Sequence, residues 1–255
     1  MIDIHSHILP GLDDGARTME DAVKMAEAAV KDGITHLYAT PHHRNGRYEN
    51  EKELVIKEVE VLNAELKNRK IPLHIIPGQE IRLYKDLIKD IDRGHLLPLH
   101  NKVNYLLIEL PSSHVPNYAA DILFELSLRH YQPILVHPER NSEILENPEI
   151  LYECIMAGTH TQITATSIIG HFGKKIMNFS HELIQSNMVH FLASDAHHAV
   201  NRGFHMSEVF GIIQKRYGVE TRFYLQENAA HVLRGESILI EPPSLLKRKR
   251  FLGIF

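Results

Sequence analysis

The chain begins with Met1-Ile-Asp-Ile-His-Ser-His7, and this stretch decides the fold prediction. Its apolar start predicts a first strand over residues 1–5, with His5 and His7 where that strand ends. In a doubly wound open sheet, a glycine-rich phosphate turn usually follows the first strand. Because His-Ser-His stands there instead, we favour a closed or nearly closed β/α barrel over the open sheet.

Strand-like and helix-like segments alternate along the rest of the chain. Helices are predicted over residues 18–32, 49–69, 117–130, 147–157 and 172–186 and over most of the remainder to 235, with Thr18 and Gly33 bounding the first. Strands are predicted over 1–5, 34–40, 73–76 with 80–83, 104–110, 133–137, 159–164 and 189–194. This alternation predicts parallel βαβ units. We therefore expect an α/β fold, a distorted (β/α)7 TIM-like barrel in a single domain over 1–240, followed by a tail over 241–255.

Composition excludes several classes of protein. The chain has 255 residues, of which 44% are hydrophobic and 24% charged, so we expect one large globular domain rather than a disordered chain. The net charge of -4 argues against a nucleic-acid partner bound through a broad basic surface. With no apolar run long enough to span a membrane and no secretory signal pattern, a cytoplasmic location is expected.

Histidine and cysteine counts point to the kind of chemistry. There are 19 histidines and one cysteine, Cys154, which excludes a disulfide framework and a thiolate metal cluster. Cys154 also lacks the arginine that a C-x5-R phosphate loop would need, so a thiolate phosphatase is not expected. Histidine is the commonest metal ligand, and the composition therefore favours a histidine and carboxylate metal site.

The strand ends show where that site should lie. In a β/α barrel the active site forms at the C-terminal ends of the strands. Six of the seven predicted strands end in a histidine or an acid, and Asp13 and Asp14 lie in the first loop. Nitrogen and oxygen ligands of this kind hold zinc, manganese or iron. These residues are His5, His7, His42, Glu80, Glu109, His137, Asp195 and His197.

The same motifs resemble the PHP (polymerase and histidinol phosphatase) metal-dependent phosphoesterases. The resemblance rests on His5-Ser-His7, Thr40-Pro-His42, Glu80, His137-Pro138 and Ser194-Asp-Ala-His197, and it covers residues 1–205. Residues 4–15 and 137–140 are similar to the bacterial protein-tyrosine phosphatases of capsule and exopolysaccharide loci. That resemblance implies a (β/α)7 barrel with three divalent metal ions.

The resemblance also implies how the metals are held. The first ion would be bound by His5, His7, Glu80 and Asp195, and the second by Glu80, Glu109 and His137. The third would be bound by Asp14, His42 and His197, although Asp13 competes with Asp14 for this role. Carboxylates at Asp14 and Glu109 make the ligand set harder, which favours Mn²⁺, with iron, Mg²⁺ or Zn²⁺ as alternatives.

Phosphate-ester hydrolysis by metals also needs groups that hold the phosphate. Arg140 and Arg202 follow strands five and seven and each can donate two hydrogen bonds to a phosphate, so both are predicted catalytic and substrate-binding residues. His43, Arg44 and Arg47 are further candidates for substrate binding. The expected nucleophile is a water activated by the metals.

The resemblance names the expected substrate, and the sequence leaves alternatives open. The expected substrates are phosphotyrosines of a bacterial tyrosine kinase and its substrates, which would regulate capsule or exopolysaccharide synthesis. The rivals are a histidinol-phosphate phosphatase, an amidohydrolase-type enzyme, which would commonly use a lysine ligand not seen here, and a non-catalytic metal-binding adaptor. Residues 245–255 contain four consecutive basic residues beside apolar ones, which predicts weak contact with an anionic membrane surface.

Overall fold

Every paired strand in the computed structural model, which describes residues 1–100 and 103–246, runs parallel to its neighbours. One sheet has the order β1-β2-β4, and the other has the order β3-β5-β6-β7-β8-β9. The strands are β1 (Ile2–Asp3), β2 (His36–Ala39), β3 (His42–His43), β4 (His74–Pro77), β5 (Glu80–Arg82), β6 (Tyr105–Glu109), β7 (Gln132–Val136), β8 (His160–Thr164) and β9 (Phe191–Ala193).

The chain passes from one sheet to the other between β2 and β3 and again between β4 and β5. The predicted third strand is correct in position, but its halves β4 and β5 pair in different sheets. Gly78 and Gln79 separate them, and the Gln79 side chain donates to the Asn50 carbonyl at 2.7 Å and accepts from the Leu97 amide at 2.7 Å. This residue therefore ties two loops together at the break. The pairing defines two parallel sheets and does not establish the closed barrel that the sequence predicts.

Backbone hydrogen bonds also connect the segments that follow β1 and β9. The His7 amide donates to the Ala196 carbonyl at 2.8 Å, and the Asp195 amide donates to the His5 carbonyl at 3.0 Å. The first and last predicted strands are thus neighbours at their C-terminal ends. This contact brings His5 and His7 beside Asp195.

Helices follow most strands and cover the sheets. They are α1 (Met19–Lys31), α2 (Lys52–Asn68), α3 (Leu87–Asp92), α4 (Ala119–Leu128), α5 (Ser142–Glu146), α6 (Glu149–Met156), α7 (Ala165–Ile168), α8 (Lys174–Gln185), α9 (Met206–Tyr217) and α10 (Val219–Arg234). The short helices α3, α5 and α7 were not predicted. The predicted start of α1 is confirmed, because Thr18 and Asp21 form a reciprocal capping box. Gly33 follows the helix with a φ of +87°, as the sequence also predicts.

Strand side chains alternate between two apolar clusters. Tyr105 and Leu107 of β6 lie in one cluster with Ile134 and Val136 of β7, while Leu106 and Leu135 lie in the other. Ala229 and Val232 of α10 also belong to the first cluster. Alternation of this kind is expected when both faces of a parallel sheet are buried. Apolar packing on both faces therefore holds these strands, and with them their C-terminal ends, in position.

The chain after α10 returns along the body of the protein. The Ser244 amide donates to the Ser186 carbonyl at 2.9 Å, and Asn187 donates to the Pro242 carbonyl at 3.2 Å. Most of the predicted basic tail, residues 247–255, lies outside the described residues. Among residues 1–100 and 103–246, no helix is both long and apolar enough to cross a membrane.

Candidate metal centre

The nine predicted metal ligands converge at the C-terminal ends of the strands. His42 lies in β3, Glu80 begins β5 and Glu109 ends β6, while the others occupy the loops that follow β1, β7 and β9. Possible ligand atoms fall into three groups within the described chain, each with its atoms inside 4.8 Å of one another. The groups are His5, His7 and Glu80; His42, Glu80 and Glu109; and His7, Asp14, His42 and His197.

The first group is the most buried. The Nε2 atoms of His5 and His7 lie 3.2 Å apart, which confirms that the two residues face one point. Oε2 of Glu80 lies 3.5 and 3.4 Å from these atoms, respectively. Oδ1 of Asp195 lies 3.6 and 3.3 Å from them. Four ligand atoms therefore surround one small space.

Hydrogen bonds on the far side of each ring fix the orientation of these histidines. Nδ1 of His5 donates to Oε1 of Gln162 at 2.9 Å, and Nδ1 of His7 donates to Oδ2 of Asp13 at 2.7 Å. Nδ1 of His197 donates to the Asp195 carbonyl at 2.9 Å. With the proton on Nδ1, each Nε2 lone pair is free to bind a metal.

Glu80 connects the first group to a second one. Its Oε1 lies 2.7 Å from Nε2 of His137, and its Oε2 lies 2.7 Å from Nδ1 of His42. The Glu109 carboxylate lies 3.7 Å from the same His42 nitrogen and is also paired with Arg82 at 3.0 Å. Glu80 is therefore placed to bridge two metal positions.

The third group lies nearest to the solvent. Oδ1 of Asp14 is 3.5 Å from Nε2 of His42 and 3.4 Å from Nε2 of His197. The His7 and His197 rings stack with their centroids 3.7 Å apart. Asp13 does not join this group, because its carboxylate accepts from His7, the Gly15 amide and the His42 amide.

Gly15 allows the loop after β1 to pack against the site. A Cβ at this position would lie 1.9 Å from the carbonyl oxygen of His7 and 2.6 Å from its Cβ. Such distances are far inside van der Waals contact, so only glycine fits here. The Asp-Asp-Gly sequence therefore supplies a ligand candidate, an orienting carboxylate and the close approach that both require.

Burial and charge shift the pKa values of these groups strongly. Burial would raise the pKa of Glu80 and Asp195, but the neighbouring histidines, together with Arg140 at Asp195, hold both well below their usual range. Burial and the charge of Glu80 raise the pKa of Glu109 to about 7. Burial and then Arg140 lower the pKa of His137 to about 4. The site thus combines the ionised carboxylates of Glu80 and Asp195 with imidazole groups, and oxygen and nitrogen ligands of this kind bind divalent cations.

A further observation indicates that these residues suit a cluster of bound cations. Oε2 of Glu80, Oε2 of Glu109, Oδ1 of Asp195 and Nδ1 of His42 are buried, and no described residue offers them a hydrogen bond of good geometry. Buried polar atoms are costly unless they are paired. All four atoms face the ligand groups described above, so bound metal ions would satisfy them together.

Two arginines line a cavity of about 240 Å³ above the ligands. Nη2 of Arg140 lies 2.7 Å from Oδ2 of Asp195, and its guanidinium lies over the Phe172 ring at 5.0 Å. Arg202 is more exposed and contacts the same Asp195 oxygen at 3.4 Å. Both predicted clamp residues therefore border the cavity, together with Asp14, His42, Glu109, His137, Asp195 and His197.

The other predicted substrate-binding residues lie outside this lining. His43 is buried next to Glu49, with which its backbone forms a bridge. Arg44 pairs with Glu49 at 2.7 Å, and Arg47 lies over the Tyr48 ring at 4.9 Å. Thus the structure brings Arg140 and Arg202 to the cavity but places these three residues to one side of it.

Sequence reasoning missed several residues that support the site. Gln162 orients His5, and Arg82 holds Glu109. Glu139 is fully buried and accepts from the Thr164 amide at 2.9 Å and the Ser167 hydroxyl at 2.7 Å, which fixes the 3-10 turn between His137 and Arg140. The only local signal for Gln162 is an amide side chain in the middle of β8, a strand whose five residues are all buried. The other two interactions have no local signal, because they join residues far apart in sequence.

Comparison with known proteins shows what the whole chain is similar to. The family profile described as capsular polysaccharide synthesis, CpsB/CapC, matches residues 1–234. The tyrosine-protein phosphatase YwqE of Bacillus subtilis is 46% identical over 255 residues and 100% of both chains. The putative tyrosine-protein phosphatase CapC of Staphylococcus aureus is 38% identical over 260 residues, again 100% of both. A solved structure described as one of the metal-dependent tyrosine phosphatases YwqE and CpsB matches with a TM-score of 0.94 and 46% identity, covering 97% of this chain and 100% of its own.

Proposed function

Because the chain belongs to the CpsB/CapC family of capsular polysaccharide synthesis proteins, we propose that it is a metal-dependent protein-tyrosine phosphatase. The reaction is the hydrolysis of a phosphate monoester on tyrosine. The observation that carries the proposal is the set of three ligand groups that share Glu80, His7 and His42 beneath a cavity lined by two arginines. Capsule or exopolysaccharide synthesis is the process in which we expect it to act.

We assign three divalent ions to the three ligand groups. His5, His7, Glu80 and Asp195 would hold the first ion, and Glu80, Glu109 and His137 the second. Asp14, His42 and His197 would hold the third. When bound, adjacent metal ions supply an activated water and stabilise negative charge on the phosphoryl oxygens. The carboxylate-rich set favours Mn²⁺, with iron, Mg²⁺ and Zn²⁺ as the alternatives that a metal titration separates.

Arg140 and Arg202 hold the phosphate in this proposal. Arg140 is anchored by Asp195 and by the Phe172 ring, so its guanidinium is preorganised. A planar guanidinium can donate two hydrogen bonds to phosphate oxygens. Tyrosinate is a moderate leaving group, with a pKa of about 10, so the reaction has less need of a strong general acid. Substrate contacts from His43, Arg44 and Arg47 remain predictions.

We also propose that the two sheets act as one distorted seven-stranded barrel. In this description β2 and β3 form one interrupted strand, and β4 and β5 form another. The hydrogen bonds from His7 to Ala196 and from Asp195 to His5 support it, because they join the first and last strand ends. One apolar cluster supports it as well, because it joins Tyr38 of the first sheet to Tyr105 and Phe191 of the second.

The substrates that we propose are phosphotyrosines of a bacterial tyrosine kinase and of other phosphoproteins. The predicted tail at 245–255 would bring the enzyme to an anionic membrane surface where such a partner resides. Deleting these residues should spare hydrolysis of a small aryl phosphate and weaken association with liposomes that contain anionic lipid. Unchanged association would reject the membrane contact, and the cytoplasmic location stays a prediction.

The deciding experiment measures phosphate release from a phosphotyrosyl peptide and from histidinol phosphate. We expect release from the peptide with Mn²⁺, its loss with EDTA and its recovery when Mn²⁺ is restored. His5→Gln should abolish release, whereas the matched variant His114→Gln, at an exposed loop histidine, should retain it. Selective turnover of histidinol phosphate would favour the rival phosphatase, and no turnover by fully metallated protein would favour the adaptor.

A further inference from the structure

A second groove adjoins the cavity above the metal ligands. Its volume is about 620 Å³, and it shares Asp14, His197 and Arg202 with that cavity. We call it the side groove, formed by residues 14–17, the first turns of α1 and residues 197–202. Since three residues belong to both, a substrate that reaches the metal ligands can continue into the side groove.

Cationic side chains outnumber carboxylates in the lining of the side groove. Arg17, Lys24 and Arg202 line it; within the described ranges Arg17 and Lys24 form no ion pair, although the charge of Lys24 acts on Asp21, three residues earlier in α1. Asp21 also lines the groove, but its carboxylate accepts from the Thr18 amide and hydroxyl at 3.1 and 2.9 Å. Asp14 is directed toward His42 and His197. Three cationic residues therefore line the groove against two carboxylates, so its lining is slightly positive although the whole chain carries a net charge of -4.

The rest of the lining suits a polypeptide. Val200, which is 72% exposed, supplies apolar surface, and Ala16 and Met25 lie almost fully buried beneath the groove. A volume of this size accommodates several side chains, whereas a phosphate and its ring need only the smaller cavity. An extended segment beside a phosphotyrosine would thus meet the apolar side chain of Val200 and the cationic side chains of Arg17 and Lys24.

We propose that the side groove binds the substrate polypeptide next to the phosphotyrosine and selects an acidic side chain there through Arg17 and Lys24. This inference rests on the proposed phosphatase function and adds a sequence preference to it. Ion pairs at such exposed sites contribute little binding free energy, so we expect a moderate preference for acidic peptides rather than a strict requirement.

The test compares four substrates on the metallated enzyme: phenyl phosphate, a phosphotyrosyl peptide with neutral flanks, and two phosphotyrosyl peptides with Glu on one flank or on the other. The measured quantity is the ratio of kcat/KM for an acidic peptide to that for phenyl phosphate. In the Arg17→Ala/Lys24→Ala double variant we expect this ratio to fall about tenfold, mainly through a higher KM. The matched control is Lys31→Ala, an exposed lysine of α1 outside the side groove, which should keep the wild-type ratio.

The outcomes separate this inference from the proposed function. A wild-type enzyme that hydrolyses all substrates with no preference for Glu, or a double variant that keeps the wild-type ratio, would overturn the side-groove inference alone. Failure of the wild type to hydrolyse any phosphotyrosyl substrate would overturn the proposed function and the inference with it. A preference that disappears in the double variant and weakens with added salt supports the inference.

Discussion

His7 and Asp13 form a hydrogen bond of 2.7 Å that orients the imidazole toward the metal ligands. Nδ1 of His7 donates to Asp13, while Nε2 faces Glu80 and Asp195 at 3.4 and 3.3 Å. Asp13 also accepts from the amides of Gly15 and His42. One carboxylate thus fixes a ligand ring, the loop after β1 and the start of β3.

Replacing Asp13 with Asn should weaken metal binding without unfolding the protein. The Asn side chain carries no charge, so it accepts a weaker hydrogen bond from His7. Mutation of a residue that orients a metal ligand in this way typically changes metal affinity or activity about 10- to 100-fold. Titration of the metal-free enzyme with Mn²⁺ should give a higher activation constant. Asp121→Asn, at an exposed residue of α4, is the control. An unchanged activation constant for Asp13→Asn would contradict the orienting role.

Gly15→Ala should disturb the site through steric overlap. The added Cβ would lie 1.9 Å from the His7 carbonyl oxygen, so the loop or the strand end must move. We expect a loss of about 1–3 kcal/mol in the free energy of unfolding, together with weaker metal binding. Urea unfolding and metal titration measure the two effects. Gly211→Ala is the control, because a Cβ there would meet no atom within 4 Å. Wild-type behaviour of Gly15→Ala would show that the loop yields freely.

Arg140→Ala should lower kcat/KM about 10²-fold if this guanidinium stabilises the phosphoryl oxygens. Arg140 also pairs with Asp195, so metal content must be measured in the same variant. Arg202 lies farther from Asp195, at 3.4 Å, so Arg202→Ala should lose activity with less effect on bound metal. The exposed Arg93 provides the control variant Arg93→Ala. Full activity of metallated Arg140→Ala would exclude a clamp at this residue.

His160 should make the fold sensitive to acid. Burial lowers the pKa of this histidine to about 4, from 6.5. Between these values the unfolded chain binds a proton that the folded protein does not, so stability falls as pH drops from 6.5 toward about 4. The expected loss from about pH 7 to about pH 5 is about 2 kcal/mol.

The variant His160→Gln tests this expectation by urea unfolding. Its amide can still donate toward Gln132, whose Oε1 lies 3.1 Å from Nε2 of His160. The difference in unfolding free energy between variant and wild type isolates His160, because the metal ligands titrate in both proteins. The variant should lose less stability on acidification. Identical pH dependence in the two proteins would argue against a buried neutral His160.

Cys154→Ser should leave activity close to that of the wild type. The thiol packs beside the apolar core, and burial raises its pKa to about 11. Very little thiolate exists near neutral pH, so a thiol nucleophile is not available. Phosphatase assays before and after treatment with iodoacetamide, on wild type and variant, check this. A large loss of kcat in a folded Cys154→Ser protein would be incompatible with the metal-dependent reaction.

The sequence by itself determined the parts of the molecule that depend on local pattern. Strand-like and helix-like segments placed the strands and the helices. Thr18 and Gly33 predicted the ends of α1, because helix caps are local interactions. Ligand candidates could be read at strand ends, since parallel strands present those ends at one edge. The spacing of His5 and His7 sufficed to predict a shared point, and their Nε2 atoms lie 3.2 Å apart.

Tertiary structure alone decided how those candidates are used. Asp13 and Asp14 are adjacent in sequence, yet one orients His7 and the other faces His42 and His197. Only the packing of β1 against the segment after β9, together with the close approach at Gly15, separates their roles. Distances between residues remote in sequence depend on how the whole core packs. No local pattern encodes the pairing of Arg140 with Asp195, or the groove that Arg17 and Lys24 share with Arg202.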